Sequence, residues 1–133
     1  MNPLAPLYRI ADSLRYLKEA DTGRHGEDLA HRHLRANGFV VVARNWRPPQ
    51  GGGEIDIIAW EGDWLVFIEV KTRASAGWSA PERDIDLEKI HTLRRAARDY
   101  IRRANADESR VRFDAISVTG RAIDHLRDAF TPA

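Results

Sequence analysis

Three charged residues near the middle of the chain could together do chemistry: Asp56, Glu69 and Lys71. Two carboxylates that face each other repel unless something neutralises them, and a divalent cation does so. Mg²⁺, or Mn²⁺ in its place, takes oxygen ligands, keeps several waters, and is commonly held by one or two carboxylates plus a substrate phosphate. Asp56 and Glu69 are therefore candidate metal ligands. Lys71 would orient or activate a water beside the metal and offset charge growing on a phosphate. That set of roles is the chemistry of phosphodiester hydrolysis.

The three residues can meet only if two strands place them. The segments from about Glu54 to Trp60 and from Trp64 to Lys71 read as strands around the turn-forming link Glu61-Gly62-Asp63, a β-hairpin. With Gly62 and Asp63 as loop residues, Trp60 opposes Leu65, Ile58 opposes Phe67, Asp56 opposes Glu69 and Glu54 opposes Lys71. A three-residue loop would instead set Asp56 against Ile68 and spoil the match of apolar with apolar. In the preferred register the facing carboxylates have β-carbons roughly 5 Å apart. Ile55, Ile57, Val66, Ile68 and Val70 form an apolar opposite face, so the hairpin should be covered on both sides. Glu54 could be a further ligand or the ion-pair partner of Lys71. A metal-free ion-pair group is the alternative, but it leaves three acids for one base. The chain also has only three lysines, Lys18, Lys71 and Lys89, beside eighteen arginines, and a plain ion pair would more readily have drawn on arginine.

Around the hairpin, the 133 residues suffice for one domain with one core. Leu7, Ile10, Leu14 and Leu17 suggest a short helical extension over residues 1–21, ahead of a domain spanning 22–133. A helix is expected from about Thr22 to Asn37, closed by Gly38, then a strand from Phe39 that Arg44 to Arg47 could extend. Pro48 to Gly53 is a loop. Thr72 to Glu82 reads as a mobile loop, and Leu87 to about Asn105 as a long helix buried along Ile90, Leu93, Ala97 and Ile101. Strands at Val111–Val118 and about Ala122–Leu126 follow, so the class is mixed α/β around one sheet. There are no cysteines, which excludes disulfides, thiolate metal sites and cysteine nucleophiles. No segment resembles a signal peptide or is long and apolar enough to span a bilayer, so a cytoplasmic protein is expected.

The net charge of +1 does not announce a nucleic-acid binder, but local clustering does better. The long helix carries Lys89, Arg94, Arg95, Arg98, Arg102 and Arg103 against the single acid Asp99, a face able to track a phosphate backbone. Trp46 and Trp78 could stack on bases or anchor loops. His31 and His33 do not share a helix face and are poor joint metal ligands, and His25, His91 and His125 stand isolated in sequence, so all five read as surface or satisfied histidines rather than catalytic ones.

Gly53-Glu54-Ile55-Asp56-Ile57-Ile58-Ala59 and Phe67-Ile68-Glu69-Val70-Lys71-Thr72-Arg73 resemble the core motifs of the PD-(D/E)xK restriction-endonuclease-like superfamily. More closely the chain resembles the small uncharacterised bacterial YraN-type family, related to archaeal Holliday-junction resolvases. Gly23-Arg24-His25-Gly26-Glu27, Lys89 and Arg112-Phe113-Asp114-Ala115-Ile116 also fit, and the resemblance runs from about Gly23 to Phe130. It implies a restriction-endonuclease-like mixed β-sheet core flanked by α-helices, Asp56 and Glu69 as ligands of Mg²⁺ or Mn²⁺, Lys71 as the catalytic lysine, and Glu27 as an additional helix-borne catalytic acid. Ile55 stands where the superfamily motif has proline. The function expected is metal-dependent cleavage of nucleic acid, DNA first and branched DNA among the substrates, with Lys89, Arg94, Arg95, Arg98 and Arg73 as nucleic-acid contacts and a homodimer as the working form. The alternative is a nucleic-acid-binding module that keeps the fold without catalysis.

Overall fold

The chain from residue 23 to 36 is helical and buries Ala30 and Leu34, one turn apart on one face. The computed structural model that shows this describes residues 23–73 and 87–130. The N-terminal helix of residues 1–21, Trp78 and most of the expected loop after Lys71 lie outside them. The helix 23–36, α1, closes on Gly38, whose φ of +87° suits a residue without a β-carbon. Its amide bonds Arg35 O at 3.2 Å and that of Phe39 bonds Leu34 O at 2.9 Å, the Schellman pattern.

Strand β1 (Val40–Trp46) runs antiparallel to β2 (Ile55–Glu61), which turns at Gly62 and Asp63 into β3 (Trp64–Thr72). Trp60 faces Leu65, Ile58 faces Phe67 and Ile57 faces Ile68, the register expected from matching apolar residues. Helix α2 (Leu87–Ala104) carries the chain across to β4 (Val111–Thr119), parallel to β3, and β5 (Ala122–Leu126) returns antiparallel to β4. The sheet order is β1-β2-β3-β4-β5. Thr72 is the last residue of β3 rather than the start of the loop.

Among the described residues, each face of the sheet carries one α-helix. Ala30, Leu34 and Phe39 pack on Ile57, Ala59, Val66, Ile68, Ile116 and Val118. On the other face Leu93, Ala96, Ala97 and Ile101 of α2 pack on Ile55, Ile58, Leu65, Phe67 and Phe113. Burial on both faces makes β3 and β4 near-continuous apolar strands, as a parallel pair requires. Ile55 departs from the expected alternation, since it joins the α2 side and not the Ile57 side. The β2–β3 pairing stops at Ile57 and Ile68, so Ile55 is not held to the hairpin's pleat. The architecture is the mixed α/β sheet flanked by helices that the sequence leads one to expect. Among the described residues no helix is long and apolar enough to cross a membrane.

Candidate active site

Past the last paired residues, Ile57 and Ile68, the hairpin's two strands part and expose Asp56 and Glu69 to a common cleft. This cleft of about 410 Å³ is lined by Glu54, Asp56, Glu69, Val70, Lys71, Lys89, Thr92 and Leu93. Asp56 accepts a hydrogen bond from the Val70 amide at 2.8 Å, so a side chain caps the backbone where the ladder ends. Lys71 Nζ lies 3.1 Å from Glu69 Oε1, two residues along the same strand face. The three residues singled out for chemistry do converge.

Two close approaches bring further acids to them. A β-carbon on Gly26 would lie 2.3 Å from Thr72 Oγ1, and one on Gly53 would lie 2.5 Å from Thr92 Cγ2. Glycine at both positions lets α1 settle against the end of β3 and the 51–53 loop settle against α2. The next residue in each case is an acid, Glu27 or Glu54. Asn45 bridges them, donating through Nδ2 to Glu54 Oε1 at 2.9 Å and to Glu27 Oε2 at 3.3 Å. Arg44 pairs with Glu27 and, at 2.8 Å, with Asp28. Glu54 is gripped by Arg47 at 2.6 and 2.9 Å. The alternative in which Glu54 pairs with Lys71 is therefore not the one adopted.

Three acids line this cleft, Glu54, Asp56 and Glu69, while Glu27 lines a separate groove with Arg44 and Asn45 and acts on Asp56 from there. Burial pushes the Asp56 carboxyl up, the Val70 amide opposes this, and Glu27, Glu69 and Glu54 add to the rise, which reaches about 6. Glu54 is lowered although burial works against it, because Asn45 and Arg47 stabilise its charge. Burial lowers Lys71, and the neighbouring Lys89 lowers it further while Glu69 opposes. Lys89 stays above the usual lysine range despite burial, through its contact with Glu69. Both ammonium groups meet the same oxygen, Glu69 Oε1.

The donors facing this cleft are carboxylate oxygens, the set a hard cation such as Mg²⁺ or Mn²⁺ takes. Among the described residues no group of three or more His, Asp or Glu side chains is placed to hold a metal ion. A cation would rest on Asp56 and Glu69 with the remaining positions filled from water or substrate, which is ordinary for Mg²⁺. Glu27 is near enough to raise Asp56 but is tied to Arg44 and Asn45.

The expected nucleic-acid contacts do not share one surface. Lys89 reaches the acids, and Arg95 lies beside the glycine loop, its Nη1 3.9 Å from where a β-carbon on Gly52 would sit. Arg94 and Arg98 line another groove, with Ala97, Val111 and Phe113, and Arg94 donates to Phe130 O at 3.2 Å. Arg102 and Arg103 are both held by the buried Asp99, at 2.6 and 3.0 Å. Arg73 is half-buried just past β3, its amide bonded to Val118 O at 2.7 Å. Trp46 stands edge-on to Tyr100 with ring centres 5.3 Å apart, so it anchors its strand.

Sequence reasoning missed Asn45, Arg44 and Arg47. The signal was an asparagine within a run that favours strand, and Asn45 takes a φ of +51°. It also treated His33 and His125 as separate. In the fold His33 Nε2 lies 3.2 Å from His125 Nδ1, and His125 Nε2 lies 2.9 Å from Asp114, which Arg112 also grips.

Fold and cleft define a mixed α/β protein with acids and lysines gathered where a central hairpin opens. The chain belongs to the uncharacterised protein family UPF0102, whose family model matches residues 26–118. A UPF0102 protein of Solibacter usitatus is 53% identical over 128 residues, covering 93% of this chain and 97% of the relative. One from Rhodococcus opacus is 44% identical over 113 residues, 81% of this chain and 94% of its own. Another, from Bacteroides thetaiotaomicron, is 40% identical over 116 residues, 84% and 93% respectively. This bears out the YraN-type resemblance at the level of the family.

Proposed function

We propose that this protein is a Mg²⁺-dependent nuclease of the PD-(D/E)xK type that hydrolyses phosphodiester bonds of nucleic acid, with DNA as the favoured substrate. The observation that carries the reading is the convergence of Asp56, Glu69 and Lys71 on one cleft with a surplus of acid around Asp56. When bound, Mg²⁺ would supply Lewis-acid activation of water and neutralise charge on the phosphate. Asp56 and Glu69 would hold it, and the Val70 amide fixes the Asp56 carboxylate for that task. Lys71, lowered by burial and by Lys89, is placed to orient the attacking water and to face charge developing on the phosphate. Glu27, held through Asn45 and Arg44, is a positioning acid behind Asp56. Lys89 lines the cleft and Arg95 lies by the glycine loop next to it, and the two would meet the backbone on either side of the scissile bond. Such a substrate puts the protein in the cytoplasm, and a homodimer would offer two clefts to the strands of a branched duplex.

Nicking of supercoiled and branched DNA in Mg²⁺ or Mn²⁺ tests this directly. Lys71→Ala and Asp56→Asn should each lose 100-fold or more in rate, in line with about 10²–10³ for removing an electrostatic stabiliser. Equal background cleavage by wild type and both variants would sink the reading.

A second reading has its own observation: Glu69 already carries two lysines, so the acids could be neutralised without metal. In that case the protein is a nucleic-acid-binding module with an endonuclease-like fold. Isothermal titration with Mn²⁺ separates the two, since the module binds DNA without any Mn²⁺ uptake that depends on Asp56.

A further inference from the structure

Two ammonium groups on one carboxylate oxygen is an arrangement that asks for a reason. Glu69 is 9% exposed, and its Oε1 meets both Lys71 and Lys89. The two lysines are not equivalent. Lys71 shares a strand with Glu69, two residues on, so their contact is set by the pleat. Lys89 comes from the first turn of α2, with a side chain 44% exposed on a flexible four-carbon stem. Its head can leave Glu69 for the mouth of the cleft while its helix stays docked through Leu93.

The other acids lack such a counter-ion conflict. Glu54 belongs to Arg47 and Asn45, Glu27 to Arg44 and Asn45, and Asp56 accepts from the Val70 amide. Among the described residues, Glu69 alone shares one carboxylate oxygen between two ammonium groups, and Lys89 must leave that oxygen for a cation to take it beside Asp56. A phosphodiester arriving at the cleft offers Lys89 an alternative anion at the moment the cation is needed, and it compensates the charge that Glu69 exchanges.

We propose that Lys89 is a phosphate-binding residue that gates the metal site: in the free protein it occupies Glu69, and a substrate phosphate draws it off, so that nucleic acid and divalent metal bind cooperatively. This rests on the nuclease reading above. Because coupling between two sites is reciprocal, DNA must tighten metal binding by the same factor by which metal tightens DNA. A factor of about ten is expected, within the ordinary range for coupled sites. The device would keep the free protein short of metal and load it on substrate.

The test is Mn²⁺ affinity, read by the electron-spin signal of free Mn²⁺, for the full chain with and without a cleavage-resistant phosphorothioate duplex. In wild type the duplex should tighten Mn²⁺ about tenfold. Lys89→Gln should bind Mn²⁺ without DNA nearly as tightly as wild type does with it, and DNA should then add less than twofold. Lys89→Arg, which keeps the charge, should keep the coupling. Thermal melts of both variants check that the fold is intact. If Lys89→Gln binds Mn²⁺ no tighter than wild type in the absence of DNA, the gate is wrong while the nuclease reading stands. If neither protein takes up Mn²⁺, with or without DNA, the gate and the reading beneath it both fall.

Discussion

Asp56 and Asp114 are carboxyls in the same sheet, and their surroundings push them in opposite directions. Burial would raise Asp114, but hydrogen bonds from His125, Arg112 and the Asp128 amide outweigh it and bring the carboxyl down to about 2. The folded state thus holds this proton less tightly than the unfolded chain, where 3.8 is usual. The stability it contributes, on the order of 2 kcal/mol, is fully present above that unfolded value and lost as pH falls from about 4 toward 2. Asp56 has the reverse sign. Its folded value of about 6 lies above 3.8, so ionising it in the fold costs on the order of 3 kcal/mol at neutral pH, and the cost is relieved as pH falls from about 6 to 3.8. Asp56→Asn, measured by thermal or urea unfolding in metal-free buffer, should therefore be more stable than wild type by about that amount at pH 8. The difference between the two proteins should shrink as pH falls below about 6 and close only below the unfolded value of 3.8. A constant difference across that range would mean that neither burial nor the acids around it raise Asp56. The tie between Asp114, His125 and His33 was not legible in the sequence. It depends on β4 lying beside β5 and on which face of α1 His33 occupies, and no local pattern encodes either.

At the scale of elements, the hairpin was legible as far as its ladder runs. Trp60 meets Leu65 and Ile58 meets Phe67 as expected, but the expected pairs Asp56–Glu69 and Glu54–Lys71 fall beyond Ile57 and Ile68, where the pairing ends. Matching apolar residues across two strands leaves one good register, and a slip would turn Asp56 and Glu69 toward the wrong partners. The bulge between Val41 and Ala43 in β1 left no such trace, yet it sets the later β1 residues in register with β2, Trp46 opposite Ile55. Asn45 thereby stands opposite Asp56, where it reaches Glu54 and Glu27. The glycine run before β2 was legible as a loop but not as a point of contact. Gly53 has a φ of +120°, and a β-carbon there would also lie 3.4 Å from the Thr92 carbonyl oxygen. Gly53→Ala should cost about 2 kcal/mol or more in urea unfolding, from backbone strain together with the clash. Thr92→Ala in the same chain should recover part of the loss, since it removes the methyl but leaves the strained φ. Full recovery would show that the clash alone matters, and no loss in the single variant would show that the loop is free to move off α2.

For the whole molecule, element order and class could be read from periodicity, whereas the surface that meets a partner could not. A helical wheel makes the basic face of α2 one stripe, but packing divides it by what each arginine already touches. Asp99 holds Arg102 and Arg103 from a buried position, and Arg94 is turned to the Phe130 carbonyl. Arg95 sits by the loop at the cleft and, among the described residues, makes no ion pair. A charge already neutralised within the protein releases few counterions when a phosphate replaces its partner, whereas an unneutralised one releases about its full share. The dependence of DNA affinity on salt therefore reports which arginines meet the backbone. Arg95→Ala should weaken binding and lower the slope of log affinity against log salt by about 1, and Arg102→Ala should leave the slope nearly unchanged. Fluorescence anisotropy of a labelled duplex from about 50 to 200 mM salt is sufficient to measure it. Equal changes in slope for the two variants would mean that the duplex covers the whole length of α2, and the substrate path along the cleft would have to be redrawn.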